Sequence, residues 1–388
     1  MTMNVLIDGD SVPIDRDVFV ELLENSVASE YVDYEHALDR DSISFKKLEK
    51  LARRGEIPYS LFFAPIDLVR AQVATKTSTL LEGISKDTFS VNTRETVELR
   101  RIELIVKDLL RKQALLKKHD TTLTQNRIVG LLGRPGTTVE DDAAKLMETI
   151  GLTHADLLAT RNKEAALELL IERLGANQIL VARSVQNYMP QRLKVKFSGM
   201  AIKDKKVPYI FLANEPKQEE LHGRNVFTLT LLTVLIAHGK FMSVKYNSTV
   251  AGTAPGREYQ IVEQILMPAD EMRRLPLSGL DEIETASARL KVTPSAVTVR
   301  ALHLKLIDFE TAEAHLAELR QRHANRPKSQ ARSPLPVNAV KKYAGRELVS
   351  RMLDAVDAGK VPPAQFCRAV CFGKLKPAQL GELRVAVG

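Results

Sequence analysis

The sequence predicts an α+β fold that is mostly helical, with one small antiparallel sheet and with helical N- and C-terminal regions. Three observations support this prediction. Apolar residues recur at the three- and four-residue spacing of helices through most of the chain. Strand-type patterns are confined to a short stretch near the middle. Hydrophobic residues make up 44% of the 388-residue chain, but aromatic residues only 5%, with no Trp, which predicts cores filled by aliphatic side chains.

The strand candidates are three apolar segments near the middle of the chain. They cover residues 178–185 (QILVARSV), 194–204 (KVKFSGMAIKD) and 207–213 (VPYIFLA). The last two are separated by a polar turn at Asp204–Lys206, so they are expected to form a hairpin. Residues 3–65 are predicted to begin with a short strand or extended start and to continue as helices.

Helices are predicted wherever apolar residues follow the helical spacing. Pro13 and Asp15 open the first, and residues 66–91 are expected to be a polar connection. Asn92 and Glu95 form a capping-box pattern at the start of a long helix. This helix and those predicted after it cover Arg94–Lys118, Val139–Ile150, Lys163–Leu174, Phe227–Ala237 (with Gly239 as its stop), 257–273 (with a break or kink at Pro268) and 280–320.

The charge and the cysteines bound the class of protein. The net charge is +8 and the pI about 9.3, which favours acidic partners such as nucleic acid, a membrane surface or an acidic protein. A basic cytoplasmic protein with no such partner fits these values equally well. Cys367 and Cys371 match neither a redox pair nor a zinc knuckle, which predicts a reduced, cytoplasmic protein. No signal peptide or membrane span is expected.

The segment 208–239 carries the most informative pattern. Strand residues lead into a polar loop, then Arg224, then Phe227-Thr228-Leu229, then an apolar helix. This arrangement resembles the ImmA/IrrE family of zinc-peptidase-like proteins, in which an R-x-x-FTL entry precedes a helix carrying HExxH. The resemblance implies a zincin-like helical core packed on the sheet. Two His one helical turn apart hold zinc in such a motif, and the Glu is the general base. Here the corresponding positions are aliphatic: Leu231, Leu232 and Leu235.

A later segment, 257–272, resembles the helix that carries the family's third zinc ligand and ends in Leu-Met-Pro. Leu266, Met267 and Pro268 match, but the ligand position falls near Pro255 or Gly256. Glu258 is out of register, and His238 lies just past the first motif, where a capping or surface role is favoured over metal binding. The resemblance therefore implies a pseudoenzyme of this peptidase family that holds no cofactor.

Two segments resemble DNA-binding helices. Residues 288–308 have helix–turn–helix spacing, for which a structural role is favoured. Residues 45–65 resemble the end of an Xre-type domain, but the stretch before them is acidic, which phosphate would repel. Residues 130–138 lack the Lys of a P-loop, and Asp8-Gly9-Asp10 indicates a turn rather than a nuclease metal site.

Basic residues form two clusters that are candidates for nucleic-acid contact. Without interleaved aromatic residues they do not predict base stacking, and a role in solubility is equally compatible with them. The first consists of Arg192, Lys194, Lys196, Lys203, Lys205 and Lys206, and the second of Arg320, Arg322, Arg326, Lys328, Arg332, Lys341, Lys342 and Arg346.

These patterns predict five parts: a degenerate Xre-like helical region (1–65), a connection and long helix (66–125), a peptidase-like domain (126–320), a basic linker (321–338) and a helical tail domain (339–388). The first hypothesis is a cytoplasmic, non-catalytic regulator of a mobile-element, toxin–antitoxin or phage-defence system. It would bind a protein partner through the empty cleft and the tail. The alternatives are a DNA-binding regulator that uses its basic segments and a metallopeptidase with a non-standard site.

Overall fold

The computed structural model describes residues 2–55, 57–81, 96–134, 138–185, 198–213, 221–241, 243–244, 256–325 and 334–388. The chain is mostly helical and carries two small sheets, so the α+β prediction is confirmed. No helix in these ranges is both long enough and apolar enough to cross a membrane.

The N-terminal unit begins with a strand, as the sequence predicted, but this strand belongs to a three-stranded sheet, which the description of residues 1–65 as a helical region did not include. Strand order is β2-β1-β3, with β2 antiparallel and β3 parallel to β1. A tight turn joins β1 to β2, as the sequence indicated. At this turn Asp8 and Gly9 both have positive φ. The elements are β1 (Thr2–Ile7), β2 (Asp10–Asp15), α1 (Arg16–Glu24), α2 (Val32–Arg40), β3 (Ser42–Ser44), α3 (Phe45–Gly55) and α4 (Ile66–Leu81), with 3-10 turns at Val27–Glu30 and Tyr59–Phe63.

Helix α4 lies where a polar connection was expected. Val69 is its one fully buried side chain among residues 66–75, which explains why the segment has no clear apolar stripe. The long helix α5 (Thr96–His119) follows, and the capping-box residues predicted for it, Asn92 and Glu95, lie outside the described residues.

The second sheet is mixed, which corrects the prediction of an antiparallel one. Its order is β4-β6-β5-β7, and β6 is parallel to β4 but antiparallel to β5. The hairpin therefore places β6 between β4 and β5, an arrangement that local patterns do not encode. The elements here are α6 (Val139–Ile150), α7 (His154–Ala159), α8 (Lys163–Ala176), β4 (Leu180–Arg183), β5 (Gly199–Ile202), β6 (Tyr209–Leu212), α9 (Leu221–Ala237) and β7 (Ser243–Val244).

The remaining chain is helical. Pro268 separates two helices, as the sequence allowed, and the predicted linker (321–338) is helical at both ends. The helices are α10 (Arg257–Leu266), α11 (Ala269–Arg273), α12 (Leu280–Leu290), α13 (Pro294–His303), α14 (Phe309–Asn325), α15 (Pro336–Ala344), α16 (Arg346–Asp357), α17 (Pro363–Ala369) and α18 (Leu380–Val387), with a 3-10 turn at Pro377–Gln379.

Both faces of the second sheet are buried, each against a different set of helices. Val181, Ala201 and Ile210 belong to the apolar cluster of α8, α9 and α10. Leu180, Met200, Ile202, Tyr209 and Phe211 belong to a cluster with α5 and the C-terminal helices. The tail therefore shares the core of the body. At its start a Cβ on Gly345, whose φ is +85°, would lie 2.6 Å from the Val181 carbonyl oxygen.

Candidate functional site

Helix α9, for which the sequence suggested a resemblance to the peptidase motif, lies in the interior of the body. It packs between the sheet, α8 and α10, and every residue from Asn225 to Ala237 is buried. The helix begins at Leu221, earlier than the predicted start at Phe227, and ends as predicted, since Gly239 has φ +72°. A helix that is apolar all round is typical of a core element.

The three motif positions are part of the hydrophobic core. Leu232 is fully buried, and Leu231 and Leu235 are 4% and 6% exposed. The sheet approaches α9 closely, because a Cβ on Gly199 would lie 2.9 Å from Leu232 Cδ1. The hydroxyls of two buried threonines bond back to their own helix, Thr230 to the Val226 carbonyl (2.9 Å) and Thr233 to the Leu229 carbonyl (2.8 Å).

The residues of the R-x-x-FTL entry connect α9 to its neighbours. Arg224 Nη2 donates a hydrogen bond to Ser198 Oγ (2.9 Å), just before β5. The Phe227 ring lies 6.3 Å from the Tyr259 ring of α10, centroid to centroid. These contacts give the R-x-x-FTL residues a structural role that does not depend on a metal.

The remaining candidate ligands do not converge. Gly256 caps α10, and Pro255 lies outside the described residues. Glu258 forms an ion pair with Lys240. The hydrogen bond that Lys240 donates to the Glu258 carboxylate holds the pKa of this carboxyl below its ordinary value. His238 follows the end of α9, and its Nε2 is buried without a hydrogen-bond partner among the described residues. The part of the chain that the structure describes contains no group of three His, Cys, Asp or Glu residues that would hold a metal ion.

A buried polar network lies beside the Leu-Met-Pro segment. Arg300 donates from Nη1 to Glu263 Oε2 (3.0 Å) and from Nε to the Met267 carbonyl (3.2 Å), and His303 Nδ1 lies 2.7 Å from Glu263 Oε1. Sequence reasoning missed this network. The signal available was Glu263 itself, a single carboxylate between the apolar pairs Ile261-Val262 and Ile265-Leu266 of α10.

The network makes α13 a packing element. Most of its residues are buried, and none is fully exposed to solvent. A recognition helix has to present side chains to the major groove. The burial of α13 therefore favours the structural role expected for residues 288–308.

In the N-terminal segment that resembles an Xre-type domain, two lysines of α3 form ion pairs with a carboxylate of α2. Asp33 of α2 pairs with Lys47 (3.4 Å) and Lys50 (3.2 Å) of α3. Asp33 of the acidic stretch thus offsets the charge of two lysines that would otherwise be available to phosphate.

The basic candidates fall into three groups. Arg192, Lys194, Lys196, Arg326, Lys328 and Arg332 lie outside the described residues. Lys341 and Lys342 are half-buried, and burial together with Arg346 lowers the pKa of Lys341. Lys203, Lys205 and Lys206 are exposed around the β5–β6 turn.

The two cysteines are buried, and burial raises the pKa of both thiols. They therefore remain protonated at neutral pH, which lowers their reactivity as nucleophiles.

Comparison with known protein families, with curated proteins and with solved structures found no match to this chain.

Proposed function

We propose that this chain is a non-catalytic regulatory protein of a mobile-element, toxin–antitoxin or phage-defence system, which binds a protein partner through a peptidase-like scaffold without metal. The observation that carries the proposal is the aliphatic core at Leu231, Leu232 and Leu235, where the resembling peptidases have their ligands and base. A metal or an attacking water at this position would be surrounded mainly by apolar side chains, which is a large desolvation cost.

The surface that we assign to the partner is on the N-terminal unit, rather than in the empty cleft or the tail that the sequence first indicated. The motif face of α9 and the apolar face of the tail are both buried in the body. By contrast, the N-terminal unit holds five of the ten large apolar side chains that are exposed among the described residues. They are Leu6, Val32, Tyr59, Phe63 and Leu68. Exposed apolar groups of this kind are typical of protein-binding surfaces.

Co-expression with the neighbouring genes tests this function. One neighbour is expected to inhibit growth alone and to be harmless when this protein is present. Replacing Tyr59 and Phe63 by Ser should abolish that protection, because both rings are about half exposed (54% and 42%) on the N-terminal unit. Val385→Ser, at a side chain that is 85% exposed on α18, is the matched control and should protect fully. Unchanged toxicity of every neighbour would contradict the proposal.

A DNA-binding regulator is the second candidate, and one observation favours it. Lys203, Lys205 and Lys206 are exposed at the β5–β6 turn, and the Asn126 backbone N–H donates to the Lys205 carbonyl (2.9 Å), which brings the exposed Arg127 beside them. Contacts of this kind bind phosphate without reading bases, so the binding should weaken steeply with salt. Absence of duplex binding at low salt, or binding unchanged by reversal of these charges, would exclude this candidate.

A further inference from the structure

A basic cleft lies where the N-terminal unit meets the body. It has a volume of about 640 Å³ and is lined by the end of α3 with the residues after it, by the second half of α5, and by α17. Pockets of this size hold ligands as large as a nucleotide. None of its lining residues belongs to α9 or to the peptidase-like motif.

The cleft concentrates positive charge. Five basic side chains line it: Arg53, Arg111, Lys112, Lys118 and Arg368. The lining residues that the structure describes include no carboxylate. Arg53 pairs with Glu49 and Lys112 with Asp108, in each case a residue four positions earlier on the same helix. For Lys118 and Arg368 no ion pair exists among the described residues, and both side chains are exposed. Like charges brought together in this way repel one another unless an anion joins them.

One wall of the same cleft is apolar. Ile57 and Pro58 lie on the side of the N-terminal unit, and Leu115 lies on α5. A cleft with several cations and an apolar wall suits a ligand with a strongly anionic end and a flat or apolar end. Arg binds phosphate oxygens through two parallel hydrogen bonds, and Lys binds them as a point charge.

We propose that this cleft binds a phosphate-bearing small molecule of nucleotide size. The phosphates lie near Lys118 and Arg368, and the other end of the ligand lies against Ile57 and Pro58. Because the walls come from the N-terminal unit, α5 and α17, the bound ligand fastens the N-terminal unit to the body. The proposal does not depend on the peptidase resemblance or on partner binding, and it stands if either fails.

Calorimetric titration of the full-length protein at low ionic strength tests this site, with ATP, inorganic tripolyphosphate and adenosine as separate probes. ATP is expected to bind, tripolyphosphate to bind more weakly, and adenosine not to bind detectably. Lys118→Glu and Arg368→Glu should each weaken ATP binding by about tenfold or more, because each removes a charge-assisted contact. Arg161→Glu reverses an exposed charge between α7 and α8, outside the cleft and outside the β5–β6 turn, and should leave the affinity unchanged.

Several outcomes would overturn the proposal. One is that neither ATP nor tripolyphosphate binds to the folded protein at millimolar concentration. Another is that both bind and Lys118→Glu, Arg368→Glu and Arg161→Glu all have the same effect. A third is that a single-stranded oligonucleotide binds this cleft far more tightly than ATP, which would assign the cleft to a polymer. Thermal unfolding of each variant without ligand verifies that the charge reversals leave the fold intact, and a rise in Tm with ATP in the wild type provides an independent readout.

Discussion

Helices α9 and α5 cover opposite faces of the same sheet, yet their interiors differ in kind. Helix α9 contributes an aliphatic core in which Leu232 is fully buried. Helix α5 buries charge: Asp108 and Lys112 are 2% and 1% exposed. Under the proposed resemblance to ImmA/IrrE-type peptidases, α9 would be the helix that carries polar catalytic residues, but the buried charges lie on α5, on the other face of the sheet.

The difference shows what allows a polar group to remain in this interior. Lys112 is paired with Asp108, and its Nζ lies 4.4 Å from the Tyr343 ring centroid and 4.3 Å from that of Phe372. Gln113 donates to the Val207 carbonyl (2.7 Å). Buried charge is tolerated where such partners exist. Next to Leu231, Leu232 and Leu235 the cluster supplies apolar side chains, which explains why Leu is suited to these positions.

The largest expected effect comes from placing a charge on the aliphatic face. Leu232→Glu, at the general-base position of the resembling motif, should lower the free energy of unfolding by about 5 kcal/mol or abolish cooperative folding, because the carboxylate would have no partner there. Urea unfolding followed by circular dichroism measures this change. Leu232→Met conserves volume and should cost less than about 1.5 kcal/mol. A well-tolerated Glu would mean that the helix face is accessible to water.

The reverse change, on α5, should have the next largest effect. Asp108→Ala leaves Lys112 buried without its carboxylate and should cost about 3–5 kcal/mol. The double variant Asp108→Leu, Lys112→Met removes both charges and should be close to wild type in stability.

The pH dependence of Asp108→Ala distinguishes lost charge pairing from lost packing. Burial lowers the pKa of Lys112, while Asp108 opposes that shift. When the pKa of a lysine is lower in the folded state than in the unfolded state, its positive charge destabilises the folded protein at low pH. This destabilisation decreases as the pH rises from the folded pKa to the unfolded pKa, which is about 10.4. The cost of Asp108→Ala should therefore shrink in alkaline solution, and a cost independent of pH would point to packing alone.

A smaller effect is expected at the contact between α9 and the sheet. In Gly199→Ala the new Cβ would lie 2.8 Å from the Phe211 carbonyl oxygen and 2.9 Å from Leu232 Cδ1. The required shift should cost about 1–3 kcal/mol in chemical denaturation. Gly381→Ala in α18, where nothing lies within 4 Å of the added Cβ, should be neutral or stabilising by up to about 1 kcal/mol. Equal effects of the two changes would contradict the close approach of α9 to β5.

The smallest expected effect concerns the β5–β6 turn. Asp204 Oδ1 accepts from the backbone N–H of Lys206 (2.7 Å) and Val207 (2.9 Å), and Oδ2 accepts from Lys117 Nζ (2.6 Å). Burial raises the pKa of Asp204, but Lys117 and the two backbone donors outweigh it and hold the pKa below its ordinary value. Its contribution is therefore complete above the unfolded pKa, about 3.9, and is lost as pH falls through the lower folded value.

Asp204→Asn tests this contribution. The variant should be less stable than wild type by under about 1 kcal/mol at neutral pH, because Lys117 is 44% exposed and the pair is screened by solvent. The difference should disappear in acid. A constant difference from pH 7 to pH 2 would show that the charge of Asp204 is not responsible.

The sequence predicted those features that depend on neighbouring residues. Strands β4, β5 and β6 lie inside the predicted segments, and α9 ends at the predicted glycine. Long-range features were not predictable. The parallel pairing of β1 with β3 joins segments nearly 40 residues apart, and Glu263 meets Arg300 at a separation of 37 residues. The basic cleft draws its walls from three distant segments, so spacing alone gives no sign of it.

The metal content of the purified protein tests the central claim most directly. The chain should be expressed in medium with added zinc, purified without chelators, and analysed by mass spectrometry of its metals against protein concentration. The aliphatic α9 predicts far less than one zinc per chain, and the same value for wild type and His238→Ala. One tightly bound zinc per chain that is lost in His238→Ala would contradict it.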